Sequence, residues 1–173
     1  MDLGVERGKV SLLKYDRRWC DAYRKISDSI LKATELESWQ IEHVGSTSII
    51  GCHAKPIIDV LIGVGDYRAM NHDFFRKMRS IGFHRLKVEK EDEIVMASFK
   101  DEAFSIHTCF IHLVSYRSSK WDDMLEFRNA LNADAILRDE YVQLKSELKG
   151  KYANDRPAYT QGKEAFIKRV LGN

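Results

Sequence analysis

Covalent staples and rigid breaks are scarce in this chain. Three cysteines, Cys20, Cys52 and Cys109, are odd in number and lack the paired spacings of a disulfide framework or a zinc finger, so a reducing compartment is expected. Only two prolines stand among 173 residues that are 44% hydrophobic and 31% charged, which excludes an extensively disordered chain. Charge of one sign is also nearly balanced out. The formal net charge of +2 gives no reason to expect the concentrated basic surface of a nucleic-acid or membrane partner. No apolar run approaches a membrane span, and residues 1–20 carry charges every few positions instead of a signal-peptide core. The expectation is a cytoplasmic protein whose partner is a small molecule. No heptad seam speaks for a coiled coil, and the oligomeric state stays open.

What is present is one domain's worth of periodic pattern over 1–173, with 117–171 mainly helical. Trp19, Tyr23, Ile26, Ile30 and Leu31 recur at helical spacing after Asp16, a candidate N-cap. Residues 39–44 and 57–64 read as strands, the second almost continuously aliphatic, as in a strand covered on both faces. Asp66 is placed to cap a helix reaching about Ser80, and Gly82 to turn the chain into an extended stretch over 83–88. Residues 94–99 and 103–114 read as a hairpin across Lys100, Asp101 and Glu102, which makes the sheet mixed. Three helices are expected after Ser118, with breaks at 132–134 and 154–157, Asp155 capping the last and Pro157 in its first turn.

The informative segment is residues 42–64, EHVGSTSIIGCHAKPIIDVLIGV. Gly45 and Ser46 open a small-residue loop where backbone N–H groups can approach an anion closely. Such a pair alone is equally a turn and a cap. Asp59 then sits inside the apolar strand, where an unpaired carboxylate would cost several kcal/mol or take up a proton. Either a salt bridge to Lys55, His43 or Arg128 satisfies it, or it faces a metal ion or a functional cleft.

A Gly-Ser turn, a small-residue stretch and an Asp-bearing strand resemble the nucleotidyltransferase superfamily of the DNA polymerase β type. More specifically, Ile41-Glu42-His43-Val44-Gly45-Ser46-Thr47 and Ala54-Lys55-Pro56-Ile57-Ile58-Asp59 resemble the GrpB family. The likeness extends through Tyr15-Asp16, Trp19, Phe127-Arg128, Leu131, Tyr141, Leu144-Lys145, Tyr159, Lys163 and Phe166-Ile167. It implies an α+β (α/β) fold, a nucleotidyltransferase-like mixed β-sheet packed by helices with a C-terminal helical segment. It further implies a nucleotide or other phosphorylated small molecule as partner, Mg2+ or Mn2+ as cofactor, and phosphates at Gly45, Ser46 and Thr47.

Active members of the superfamily pair two acids as Asp-x-Asp and add a third on a later strand. Here Leu61 stands for the second acid. The GrpB pattern offers a His-x-His pair on that later strand, of which this chain keeps His112 while Phe110 replaces the first histidine. Alternate strand residues share a face, so a two-histidine chelate is lost, and His107 falls on the opposite face unless a bulge intervenes. Ile50 and Asn129 also depart from the family's usual Pro and Asp.

The resulting candidates are Asp59, Glu42 and His112 for catalysis or metal, with Glu42 preferred to His43 because only one of the two can share the face of Asp59. Lys55 and Arg128 are candidates for phosphate, with Lys145 and Lys163 behind them. Trp121 and Tyr159 are assigned to the core. Two functions follow from the resemblance: nucleotidyl transfer to a small acceptor, or nucleotide or phosphate-ligand binding without chemistry. Fusions of GrpB-like domains to dephospho-CoA kinase add coenzyme A precursors as candidate ligands.

Overall fold

The computed structural model describes residues 3–88 and 90–172. Strands β1 (Val5–Glu6), β2 (Ile41–Val44), β3 (Ile58–Val64), β4 (His84–Arg85), β5 (Ile94–Phe99) and β6 (Ile106–Ser115) form one sheet ordered β2-β3-β6-β5-β4, with β1 on β6. The β3–β6 pair is parallel and the others are antiparallel, so the sheet is mixed as expected. Helices α1 (Arg18–Ala33), α2 (His72–Ser80), α3 (Ser119–Ala133), α4 (Ala135–Lys151), α5 (Arg156–Gln161) and α6 (Glu164–Leu171) complete the chain. Among the described residues no helix is long and apolar enough to cross a membrane.

Alternation along β3 assigns the two sheet faces different work. Ile58, Val60 and Ile62 face Trp19 and Ile30 of α1 and Phe74 and Met78 of α2 in the main core. Asp59, Leu61 and Gly63 face the other way, beside Phe110, His112 and Val114 of β6 and Glu42 and Val44 of β2. One end of this second face is closed by Trp121 of α3 on Val44, Leu61 and Val114. Gly63 permits that approach, since a Cβ there would come within 2.7 Å of the Trp121 ring. The other end, at Asp59 and Phe110, opens into a cleft.

The C-terminal helices border the cleft because they are tied to the loop after β2. Leu131, Tyr141 and Phe166 bury Ile49 and Cys52 of that loop. Lys145 of α4, also buried, donates from Nζ to Ser46 Oγ at 3.1 Å, to Cys52 Sγ at 3.0 Å and to the His53 carbonyl.

Several local expectations need correction. Asp66 caps a 3-10 turn at Tyr67–Ala69, and α2 starts five residues later than an Asp66 cap would require because Asn71 accepts from Phe74 N. A reciprocal cap between Glu37 and Gln40 winds residues 38–40 into a 3-10 turn, so β2 begins at Ile41. Four helices, not three, follow Ser118 among the described residues. Asp155 does cap α5, accepting from Ala158 N with proline in the first turn, but that helix ends at Gly162, which also lies close against Leu148. In the β5–β6 hairpin, Asp101 accepts from the Ser105 and Ile106 amides and holds the turn, so β6 starts at Ile106.

Candidate functional site

Gly45 follows β2 with φ 68°, a left-handed conformation that favours glycine. Its backbone passes directly over Asp59, such that a Cβ at 45 would lie 2.9 Å from Asp59 Cβ and closer still to the carboxylate. The two halves of the motif thus meet in space because Val44 and Asp59 are register partners. Ser46 and Thr47 continue into a short 3-10 turn and line the same cleft, whose volume is about 1290 Å³.

Asp59 is not satisfied by Lys55, His43 or Arg128 in the way the sequence suggested. Its nearest cationic partner is His112, with Nε2 to Oδ1 at 3.7 Å. The other ring nitrogen, Nδ1, lies 2.5 Å from Oε2 of Glu93, a carboxylate whose side chain is 1% exposed. Burial opposes the charge on His112, yet the carboxylates of Asp59 and Glu93 outweigh it and raise its pKa to about 9. Burial likewise opposes ionisation of Glu93, but His112, Lys90 and Lys120 hold its pKa well below the usual range. Protonated His112 thus sits between two carboxylates.

Facing Asp59 is a wall of cations. Lys55 and Lys163 each place their ammonium 5.0 Å from the centroid of the Tyr159 ring, and Arg156 lies 5.1 Å from that of Phe110. Among the described residues no carboxylate is within ion-pair distance of these three groups. Burial lowers the pKa of Lys55 to about 7, reinforced by the charges of Arg156 and Lys163 and only partly offset by Asp59. Burial lowers that of Lys163 to about 8, with Lys145 adding to the effect. These are conditions under which an anionic ligand gains from binding, because it relieves repulsion among the cations.

The remaining candidates divide between the cleft and its frame. Lys145 lines the cleft, but its three N–H donors are directed at Ser46, Cys52 and His53, so it holds the Gly-Ser loop on α4. Thr47 Oγ1 bonds His43 Nε2 at 3.0 Å, and the His43 ring stacks on Tyr23 with centroids 4.6 Å apart. Burial keeps His43 neutral, its pKa lowered to about 4. Glu42 shares the face of Asp59, as expected, but pairs with Arg128 at 2.7 Å, and Arg128 also donates to the His43 carbonyl. Neither Glu42 nor Arg128 lines the cleft.

The donor set does not match a two-metal centre. Leu61 and Phe110 supply no ligand atoms beside Asp59, and Glu42 is engaged by Arg128. Among the described residues no group of three or more His, Cys, Asp and Glu side chains is arranged to hold a metal ion. Asp59 offers a carboxylate for at most one ion shared with ligand phosphates, which His112 could join only after losing its Nε2 proton.

The profile of the family described as "GrpB protein" matches residues 9–173. The chain belongs to the GrpB family. It is 32% identical over 170 residues to the glutamate-rich protein GrpB of Alkalihalophilus pseudofirmus, covering 98% of both chains. It is 29% identical over 170 residues to a UPF0157 protein of Halalkalibacterium halodurans, covering 98% of this chain and 85% of that one. In three dimensions it is similar to conserved protein GrpB from Enterococcus faecalis, with TM-score 0.79, 22% identity, and 94% and 95% of the two chains covered. It is also similar to the Cid1 poly(U) polymerase with Mg 3′-dATP bound, with TM-score 0.53, 14% identity, 86% of this chain and 49% of that one. The GrpB chain therefore has a nucleotidyltransferase-like fold.

Three cleft residues of this GrpB protein, Arg156, Tyr159 and His107, and Glu93, which backs His112, escaped the sequence reading. Glu93 ends a charged stretch before β5, and Arg156 follows a helix cap. Tyr159 is buried at 1% exposure, in keeping with a core aromatic, yet it lines the cleft and faces two lysines. His107 lines the same cleft as Phe110 and His112 because the β5–β6 register shifts between Ser98 and Phe99. That is the bulge its position in the strand required.

Proposed function

We propose that this GrpB-family protein binds a nucleotide or another phosphorylated small molecule, with the phosphates held by Lys55, Lys163 and Arg156 beside Gly45, Ser46 and Thr47. The observation that carries this reading is the convergence on the cleft of Asp59 of three cations that have no carboxylate partner among the described residues. Ammonium and guanidinium groups supply the charge and hydrogen bonds that phosphate oxygens require. Asp59 and His112 offer a charged pair at the edge of the bound phosphates, and Glu42 with Arg128 belong to the frame that fixes β2 against α3. Binding of this kind needs no metal, and a cytoplasmic setting supplies phosphorylated metabolites.

Nucleotidyl transfer to a small acceptor is the second reading, favoured by the 29% exposure of the Asp59 side chain beside the Gly-Ser turn. In that case Asp59, joined by His112 once deprotonated, would hold one Mg2+ or Mn2+, which would neutralise phosphate charge when bound.

A thermal-shift series separates these readings. Nucleoside triphosphates, dephospho-coenzyme A and 4′-phosphopantetheine are each added with EDTA, with Mg2+ and with Mn2+. Ligands that bind only the native state raise its melting temperature. The binding reading expects a shift in EDTA, whereas a shift that appears only with metal and disappears in Asp59→Asn supports transfer. No shift under any condition contradicts both.

A further inference from the structure

The cleft continues beyond its cations into an aromatic end. Arg156 borders Phe110, whose ring stacks on His107 with centroids 5.0 Å apart. His107 meets Phe99 at 4.8 Å, and Phe99 meets Phe104 edge-to-face at 5.1 Å. All of these side chains line the cavity that contains Asp59, Lys55 and Lys163.

Two features mark this end as more than packing. His107 is 7% exposed, yet its Nδ1 is buried without a hydrogen-bond partner. Such a group is costly to leave unsatisfied, so its place beside the cleft calls for an explanation. Phe104 occupies the tight β5–β6 turn with φ 55°, a conformation unfavourable for a bulky residue, and the residue is 50% exposed. A glycine or asparagine would make this turn more readily. Phe104 holds a large ring at the cleft at some cost in backbone strain.

We infer that the aromatic end takes a planar heteroaromatic ring attached to the phosphates, so that the ligand class is a nucleotide, with Phe104 as a stacking surface and the His107 imidazole at the ring edge. This rests on the phosphate-binding reading for the other half of the molecule. Sugar phosphates and inorganic polyphosphates fill only the cationic half. Aromatic side chains stack on any base, so the wall selects a ring in preference to one base.

Titration calorimetry tests this on the full chain with tripolyphosphate, ATP, GTP, CTP, UTP and adenosine, using the wild type, Phe104→Gly and His107→Phe. Phe104→Gly relieves the turn and should fold at least as stably as wild type. His107→Phe keeps a ring and removes the nitrogen. At least one nucleoside triphosphate should bind wild type about tenfold or more tightly than tripolyphosphate. Each variant should lose about fivefold or more of that affinity, with tripolyphosphate binding unchanged. Nucleotides that bind no better than tripolyphosphate, or variants that bind them like wild type, overturn the inference. Adenosine binding that weakens in Phe104→Gly while tripolyphosphate fails to bind sustains the aromatic site and overturns the phosphate reading alone. Failure of every probe overturns both.

Discussion

Lys55 and Lys163 converge on one ring, each with its ammonium 5.0 Å from the centroid of Tyr159. One lysine precedes β3 and the other precedes α6, 108 positions along the chain, so the fold itself brings two like charges together over a π face. The ring attracts each cation, but burial and their neighbours lower both pKa values, to about 7 and about 8.

A pH dependence follows with a definite sign. Both folded-state values lie below the ordinary 10.5 of lysine, so the ligand-free protein gains stability as pH rises from about 7 towards 10. A bound phosphate favours the charged forms, so binding near pH 7.5 should take up protons, and affinity should fall as pH rises past 8. Calorimetry of ATP binding in buffers of different ionisation enthalpy measures the uptake directly; net proton release would contradict the assignment.

Asp59→Asn separates binding from transfer through the direction of its effect. In the binding reading the carboxylate is the cleft's own competitor for the cations, so its neutralisation should tighten tripolyphosphate in EDTA by about two- to tenfold. In the transfer reading the same change removes a metal ligand and should abolish metal-dependent nucleotide binding. Paired titrations with EDTA and with Mg2+ read both effects.

Gly45→Ala should injure both the fold and the site. The new methyl group would enter the space of the Asp59 carboxylate, and alanine would be held at φ 68°. A loss of about 1–3 kcal/mol is expected from the backbone conformation alone, with the collision adding to it. Urea unfolding at neutral pH measures this, and a variant as stable as wild type would show that the loop is free to move off Asp59.

His43 should act as an acid-labile element of the frame. Its folded pKa of about 4 lies below the unfolded value of about 6.5, so folding favours the neutral ring. Stability present above pH 6.5 is then lost as pH falls towards 4, by up to ~3 kcal/mol. Denaturation midpoints between pH 7 and 4 for wild type and His43→Asn should diverge less as acidity rises.

The parts of this molecule that follow local rules were legible in the sequence. An aliphatic run interrupted by one acid marked β3, and a glycine before serine marked the turn that lies on Asp59. What escaped depended on long-range or irregular geometry. Arg128 looked like a phosphate ligand, but a partner 86 residues away, Glu42, engages it. His107 lies on the far face of a regular strand, and only the bulge left open by the sequence, the register shift at Ser98 and Phe99, turns it to the cleft. Glu93 sits in a run of charges before β5 that drew no attention in the sequence, although it is among the most buried charged side chains. Burial of a charge is set by what the tertiary fold lays over it, and neighbouring residues carry little record of that.

The most direct measurement of the central claim is the affinity for tripolyphosphate in EDTA of wild type and of the double variant Lys55→Gln/Lys163→Gln. The account predicts saturable binding to wild type and a loss of about tenfold or more in the variant, with the fold intact by circular dichroism. Equal affinity in the two proteins, or no saturable binding to wild type, would contradict it.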